Sequence, residues 1–239
     1  MSPQISVVVP VFDEAGNVAA LAREIAAAFE GRDYEMVFVD DASRDGTPAA
    51  LLALREELPR LRVLSHGRNA GQSRAVSTGV HASRGEIIVT LDGDGQNDPA
   101  DGPKLVDRLL AAGPGTALVG GRRAKRRDTW SKRVGSRVGN GVRKRLLKDD
   151  ADDTGCGLKA FRREVFLRFP YFDHMHRYIP ALTQREGFRA EYMDVNHRPR
   201  GAGVSKYSNL RRLWVSLGDL IGVMWLIRRG RLPGEVTEA

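Results

Sequence analysis

The chain of 239 residues is long enough for one large α/β domain or two small ones. Hydrophobic residues make up 41% of it, which excludes wholesale disorder, and its single cysteine, Cys156, excludes a disulfide framework and suits a reducing compartment. Lys and Arg outnumber Asp and Glu by 38 to 30, a net charge of +8 that points to an anionic partner: nucleic acid, anionic lipid or a phosphorylated ligand.

The first apolar run, residues 5–9, is too short for a secretory signal and is followed at once by Pro10 and acidic residues. Residues 5–11, 36–40, 63–65, 87–91 and 117–119 are continuous β-branched or aliphatic runs, the pattern of strands buried on both faces of a parallel sheet. Helical patterns lie between them. Asn17 is placed to cap a helix ending near Glu30, and residues 46–58, 72–83 and 101–112 follow. This alternation predicts a doubly wound α/β sheet with its ligand crevice at the carboxyl ends of the strands. From Arg122 to Lys148 the chain turns basic, with Asp128 the only acid. Trp130, Val134, Val138, Val142 and Leu146 recur every fourth residue, so a basic amphipathic helix is expected there. Residues 189–197 read as a late strand, 207–229 as a C-terminal helix and 232 onward as a tail. No run of about 20 apolar residues occurs, so no membrane-spanning helix is expected. The nearest candidate, residues 213–227, contains Asp219 and reads as buried or interfacial.

Three motifs close predicted strands. In Leu91-Asp92-Gly93-Asp94-Gly95-Gln96, two carboxylates one residue apart can converge on a hard divalent cation, with Gln96 adding a carbonyl oxygen. Such a cation bridges a diphosphate and neutralises charge on a departing nucleotide; a solvated acidic turn is the competing reading. In Asp40-Asp41-Ala42-Ser43-Arg44-Asp45-Gly46-Thr47, Asp41 and, less directly, Asp40 are placed to meet a base or ribose, while Asp45 and Thr47 suit the turn and the next helix. In Pro10-Val11-Phe12-Asp13-Glu14, Glu14 reaches the same crevice edge, unless the segment is a plain strand-to-helix turn.

Together these motifs resemble the nucleotide-binding half of the family 2 glycosyltransferases of GT-A fold, a Rossmann-like, mostly parallel sheet flanked by helices. Arg68-Asn69-Ala70-Gly71-Gln72 fits the same pattern. Later segments resemble the dolichol-phosphate mannose synthase branch, which includes bacterial polyprenyl-phosphate sugar synthases: Val119-Gly120-Gly121-Arg122, Arg133-Val134-Gly135-Ser136 with Asn140, Asp153-Thr154-Gly155-Cys156-Gly157-Leu158-Lys159, and Arg200-Gly201-Ala202-Gly203-Val204-Ser205-Lys206-Tyr207. The resemblance covers residues 5–213. It implies a catalytic domain over 1–205, with a nucleotide-sugar half (1–121) and an acceptor half (122–205), followed by an amphipathic membrane-associating or dimerising helix and tail (206–239).

By the same resemblance, Asp92, Asp94 and Gln96 hold Mg²⁺ or Mn²⁺. Pro10, Phe12, Glu14, Asp40 and Asp41 line the nucleotide, and Arg200 and Lys206 contact the donor diphosphate. Arg122, Arg133 and Ser136 hold the acceptor phosphate, and Asp153 and Arg177 stand near the sugar. A lipid phosphate is already ionised and needs no general base, so positioning and charge stabilisation carry the reaction. One inverting displacement is the expected course, with Asp94, Arg122, Arg133 and Lys206 nearest the chemistry. The donor expected is UDP-galacturonate or another UDP-sugar, because a cationic Arg177 suits a carboxylated hexose. GDP-mannose, and a polysaccharide hydroxyl acceptor with Asp153 as base, are the alternatives. The basic segment and the C-terminal helix suit an anionic membrane surface, so a cytoplasmic protein peripheral on the inner face of the membrane is expected. The core or a second copy of the chain are alternative seats for that helix. Nucleic acid is not an expected partner: aromatic content is only 7%, and no aromatic-interleaved basic motif occurs.

Overall fold

A computed structural model describes residues 3–123, 146–147, 153–199 and 209–232, with backbone alone for 209–216. Seven strands form one sheet: β1 (Ile5–Val11), β2 (Tyr34–Asp40), β3 (Leu61–Ser65), β4 (Ile87–Thr90), β5 (Thr116–Arg123), β6 (Lys159–Arg162) and β7 (Arg189–Val195). The described helices are α1 (Val18–Ala28), α2 (Thr47–Glu57), α3 (Gln72–Ala82), α4 (Gly102–Ala111), α5 (Arg163–Phe166), α6 (Ile179–Arg185) and α7 (Asn209–Arg229). The sheet order is β3-β2-β1-β4-β6-β5-β7. All pairings are parallel except the two made by β6, which lies antiparallel between β4 and β5.

The apolar runs of β1, β2, β4 and β5 are buried on both faces, as expected of central parallel strands, whereas 63–65 in the edge strand β3 is only partly buried and ends exposed. Val7, Val9, Phe38, Ile87 and Val89 face α1, α2 and α4, packing with Leu21, Ile25, Leu51, Leu105 and Leu109. The alternate residues Val8, Val37, Val39 and Ile88 pack with Val76 and Val80 of α3, Leu182 of α6, and Leu220 and Val223 of α7. Each strand therefore feeds two cores from one sequence, in the period of two that a pleat imposes.

Two local expectations change. Asn17 occupies the cap position of α1 but makes no capping bond; its amide instead donates to Glu14 Oε2 at 2.6 Å. β6 escapes the apolar-run reading, because a four-residue strand with Lys159 and Arg162 at its ends does not form such a run. Its position has a consequence for the site. β4 and β5 both run against β6, with Thr90 and Gly120 each in register with Lys159. Asp92 and Arg122 each lie two residues further on, along the same sheet edge. They flank the segment entering β6, separated by two strand spacings of roughly 4.8 Å each.

Pro10 sits inside a central strand without costing a ladder bond. The Leu91 N–H donates to Val8 O at 3.2 Å, so even-numbered residues of β1 face β4. Pro10 faces the same side, beyond the point where the β1–β4 pairing ends at Thr90.

Candidate active site at the carboxyl edge of the sheet

The turns after β1 and β2 are joined by four hydrogen bonds. Asp13 N–H donates to Ser43 Oγ at 2.9 Å and Arg44 N–H to Asp13 Oδ1 at 2.8 Å. Glu14 N–H donates to Thr47 Oγ1 at 2.8 Å and Ala15 N–H to Asp45 Oδ2 at 3.2 Å. Asp13 and Ala42 both adopt left-handed backbone, at φ 53° and 61°. Such conformations are uncommon for residues other than glycine and persist where surrounding bonds hold them. Asp45 and Thr47 thus build the turn, with Asp45 Oδ1 also accepting the Thr47 N–H at 2.9 Å. Phe12 and Glu14 remain partly exposed at the edge.

The two adjacent aspartates are buried and engaged. Asp40 accepts the Ser43 N–H at 3.1 Å. Asp41 is the anchor of the 66–71 loop. Its Oδ1 accepts from His66 Nδ1 at 2.6 Å and from the Ala70 N–H at 2.9 Å, and its Oδ2 from the Gly71 N–H at 2.8 Å. Asn69 Nδ2 donates to the Asp41 carbonyl at 3.1 Å. The work of this carboxylate in the structure is therefore to shape the loop that starts α3.

That loop delivers Gln72, whose amide donates to Asp92 Oδ1 at 2.8 Å. The Asp92 N–H donates to the buried Asn97 side chain at 3.0 Å, and Asp94 Oδ1 accepts the Gln96 N–H at 3.1 Å. These bonds curl residues 92–97 so that both carboxylates stay at the sheet edge. The backbone of Gln96 is tied in turn to Arg198, whose N–H donates to Gln96 O at 2.9 Å. Part of Asp92 still reaches the surface. Even so, burial and the neighbouring Asp94 charge push its carboxyl up to about 6, against the opposing pull of Lys159, Arg123 and the Gln72 bond.

Beneath Asp92 lie Gly157 and Lys159, which belong to the 153–159 motif but were given no role there, and further buried or half-buried partners. Gly157 packs directly on the Asp92 carboxyl group; a Cβ there would lie inside 3.0 Å of all three carboxyl atoms. Lys159 is buried, its ammonium lowered in pKa by desolvation, and donates to the Cys156 carbonyl. Arg123 grips the buried Asp153 bidentately, at 2.6 Å and 2.7 Å. His176 Nδ1 meets Ser73 Oγ at 2.7 Å, and burial pushes this imidazole down to about 3, so it is neutral at physiological pH. Lys159 stands out in the sequence as a charge among Leu158, Ala160 and Phe161; Asp153 was expected near the sugar, and nothing in the sequence paired it with Arg123, 30 residues away.

Arg122 takes the other side of its strand end, 2.6 Å from Asp194 on β7, with both side chains about half exposed. Asp153 is occupied by Arg123, as above. Arg177 lies in the turn Met175–Arg177, beside the half-buried His176. The neighbouring His174 Nδ1 lies 3.1 Å from Asp219 Oδ2 of α7. Arg133, Ser136, Arg200 and Lys206, with the expected basic helix, lie outside the described residues. Among the described residues no group of three or more His, Cys, Asp or Glu side chains converges. The expected donors Asp92, Asp94 and Gln96 are neighbours at the sheet edge, without a third His, Cys, Asp or Glu beside the two acids among the described residues. All are hard oxygen ligands, which suits Mg²⁺ or Mn²⁺ completed by ligand phosphates and water.

Helix α7 is two-sided. Leu220 and Val223 are buried against the core, while Leu217, Ile221 and Trp225 are 48%, 61% and 59% exposed, one apolar stripe at four-residue spacing. Among the described residues no helix is long and apolar enough to cross a membrane.

Comparison with known proteins matches residues 6–169 to the family model "Glycosyl transferase family 2". A dodecaprenyl-phosphate galacturonate synthase of Rhizobium johnstonii is 35% identical over 98% of this chain and 70% of its own length. An undecaprenyl-phosphate 4-deoxy-4-formamido-L-arabinose transferase of Edwardsiella ictaluri is 35% identical over 91% of this chain and 66% of its own. The chain thus spans about two thirds of the length of such relatives. Among solved structures, the glucosyl-3-phosphoglycerate synthase of Mycobacterium tuberculosis with Mg²⁺ and uridine diphosphate aligns with a TM-score of 0.71 at 21% identity, over 97% of this chain and 82% of that one. A mannosyltransferase of Pyrobaculum calidifontis with GDP-mannose and Mn²⁺ aligns with a TM-score of 0.62 at 22% identity, over 98% of this chain and 66% of that one.

Proposed function

Because this chain belongs to glycosyl transferase family 2, we propose that it transfers a sugar from a uridine diphosphate sugar to a polyprenyl phosphate, giving a polyprenyl monophosphate sugar. The observation that carries this reading is the strand-end row. Asp92 and Asp94 stand on one side of the segment entering β6 and Arg122 on the other, roughly 10 Å apart by strand spacing. That separation leaves room for a donor diphosphate against the acids and a second phosphate against the arginine.

Asp92, Asp94 and Gln96 are the residues that hold Mg²⁺ or Mn²⁺, which when bound neutralises charge on the leaving diphosphate. Phe12 and Glu14 line the base and ribose, on the turn that Asp45 and Thr47 brace. Asp40 and Asp41 act from behind, by shaping the loops. Arg122, with Arg133 and Ser136, orients the lipid phosphate, and Arg200 and Lys206 close over the donor. Attack by an ionised phosphate oxygen on the anomeric carbon breaks the bond to the diphosphate in one inverting step, with no proton to remove. Asp153 is held by Arg123 in two charge-assisted bonds, which speaks against a base for a sugar hydroxyl. Arg177 favours UDP-galacturonate, with GDP-mannose the competing donor. The exposed stripe of α7 and its neighbours Arg228, Arg229 and Arg231 suit an anionic leaflet, which supports a peripheral seat on the inner membrane face.

The test is an incubation of the protein and Mn²⁺ with short-chain polyprenyl phosphate and a panel of nucleotide sugars. A lipid-linked monophosphate sugar supports the reading. Transfer to water or a soluble sugar but never to the lipid refutes it.

A further inference from the structure

Three successive carbonyls lead the chain into β6, and each is held by a different donor. Lys159 Nζ donates to Cys156 O, Thr90 Oγ1 to Gly157 O at 2.7 Å, and the Gly121 N–H to Leu158 O at 2.9 Å. The segment is thereby fixed on both sides, by β4 and β5, and from within by its own lysine. Asp92 rests on it, because the Gly157 backbone faces the Asp92 carboxyl group at the distance a missing Cβ would occupy. A buried ammonium is costly unless compensated, and one carbonyl could be satisfied by a neutral amide. The charge of Lys159, only 5% exposed, nonetheless lies within electrostatic reach of Asp92, Asp153 and Arg123.

We infer that Lys159 is a positioning residue: its ammonium locks the Cys156–Gly157 turn on which Asp92 is seated, and so sets the Asp92 carboxylate for the divalent cation and donor diphosphate. The inference rests on the metal role given to Asp92 above. Lys159 touches neither substrate nor cation in this account. Coulomb repulsion between the ammonium and a cation works in the opposite direction, so the two effects predict opposite signs on substitution.

The experiment compares wild type, Lys159→Met and Thr90→Val in titrations with Mn²⁺ and UDP, followed by Mn²⁺ electron paramagnetic resonance and calorimetry. UDP binding in EDTA and thermal melting are run in parallel. Lys159→Met should weaken Mn²⁺ affinity in the presence of UDP by about tenfold or more, the range expected for groups that orient metal ligands. Its UDP affinity in EDTA should stay within about twofold, since the contact it alters is on the cation side. Thr90→Val removes a second donor from the same turn without a change of charge. It should weaken Mn²⁺ binding in the same direction, and it serves alone if Lys159→Met does not fold. Unchanged Mn²⁺ affinity in folded variants, even with a lower melting temperature, makes the residue merely structural and overturns the inference. Tighter Mn²⁺ binding by Lys159→Met means that repulsion dominates, and also overturns it. A wild type that binds no Mn²⁺ with UDP or GDP refutes the metal role itself, a failure distinct from equal affinities in wild type and variants.

Discussion

Replacing Gly157 by alanine perturbs the site by one methyl group. The new Cβ would lie inside 3.0 Å of the Asp92 Cγ, Oδ1 and Oδ2 atoms, where ordinary contact begins at 3.4 Å. The neighbouring backbone cannot yield cheaply, since the carbonyls of Cys156, Gly157 and Leu158 are all held. The carboxylate is the part that moves, and a displacement of about 1 Å relieves the overlap, at a cost near 10²-fold in rate for a misplaced catalytic group. That corresponds to about 2.7 kcal/mol of transition-state stabilisation. Stability should fall by much less, because the end of a side chain swings aside toward the crevice. The assay is kcat/KM for transfer to short-chain polyprenyl phosphate with saturating Mn²⁺, beside a thermal melt. Gly67→Ala is the control, because a Cβ at Gly67 meets nothing within 4 Å. A Gly157→Ala enzyme within twofold of the control refutes the seating of Asp92 on this turn.

Asp94→Asn keeps an oxygen for the Gln96 N–H but removes a charge from the cation site, so kcat should fall at least about 10²-fold with the melting temperature nearly unchanged. The Asp92 carboxyl, raised to about 6 from 3.8, binds a proton more readily folded than unfolded. It therefore disfavours the metal-free fold above that pH, and the penalty fades as pH falls through 6 toward 4. Asp92→Asn should raise the metal-free melting temperature at pH 7 and lose that advantage near pH 4, while wild-type Mn²⁺ affinity weakens below pH 6; pH-dependent melts and titrations check both. Arg123→Ala strands the buried Asp153 carboxylate and should cost about 3 kcal/mol in urea unfolding. Arg122→Ala, from an exposed pair, should cost under about 1 kcal/mol yet raise KM for the lipid. Paired Ile221→Glu and Trp225→Glu should weaken sedimentation with anionic vesicles about tenfold and leave the melt unchanged, since both side chains are exposed.

The parallel half of the sheet was legible because its strands are apolar on both faces, and the adjacent acidic turns fall where such strands end. The β6 crossing was not, since Lys159 and Arg162 break the apolar run; Lys159 is buried against the Cys156 carbonyl three residues away, and Arg162 reaches Thr116, 46 residues away. The same cause hid the Arg123–Asp153 pair, which forms only once β5 and the β6 approach are neighbours. Asp41 read as a ligand contact from its place after β2. The structure has that carboxylate holding the 66–71 loop, a use that depends on where His66, Ala70 and Gly71 return. Residue types identified the chemistry available, whereas the return of distant segments decides which loops each carboxylate also holds.

The central claim is that the lipid's own phosphate attacks the sugar. Polyprenyl phosphate carrying ¹⁸O on its terminal phosphate tests it in one mass-spectrometric measurement of both products. All of the label should stay in a polyprenyl monophosphate sugar, with unlabelled UDP released in equal amount. A lipid diphosphate sugar with release of UMP, or UDP release with the lipid unmodified, would contradict it.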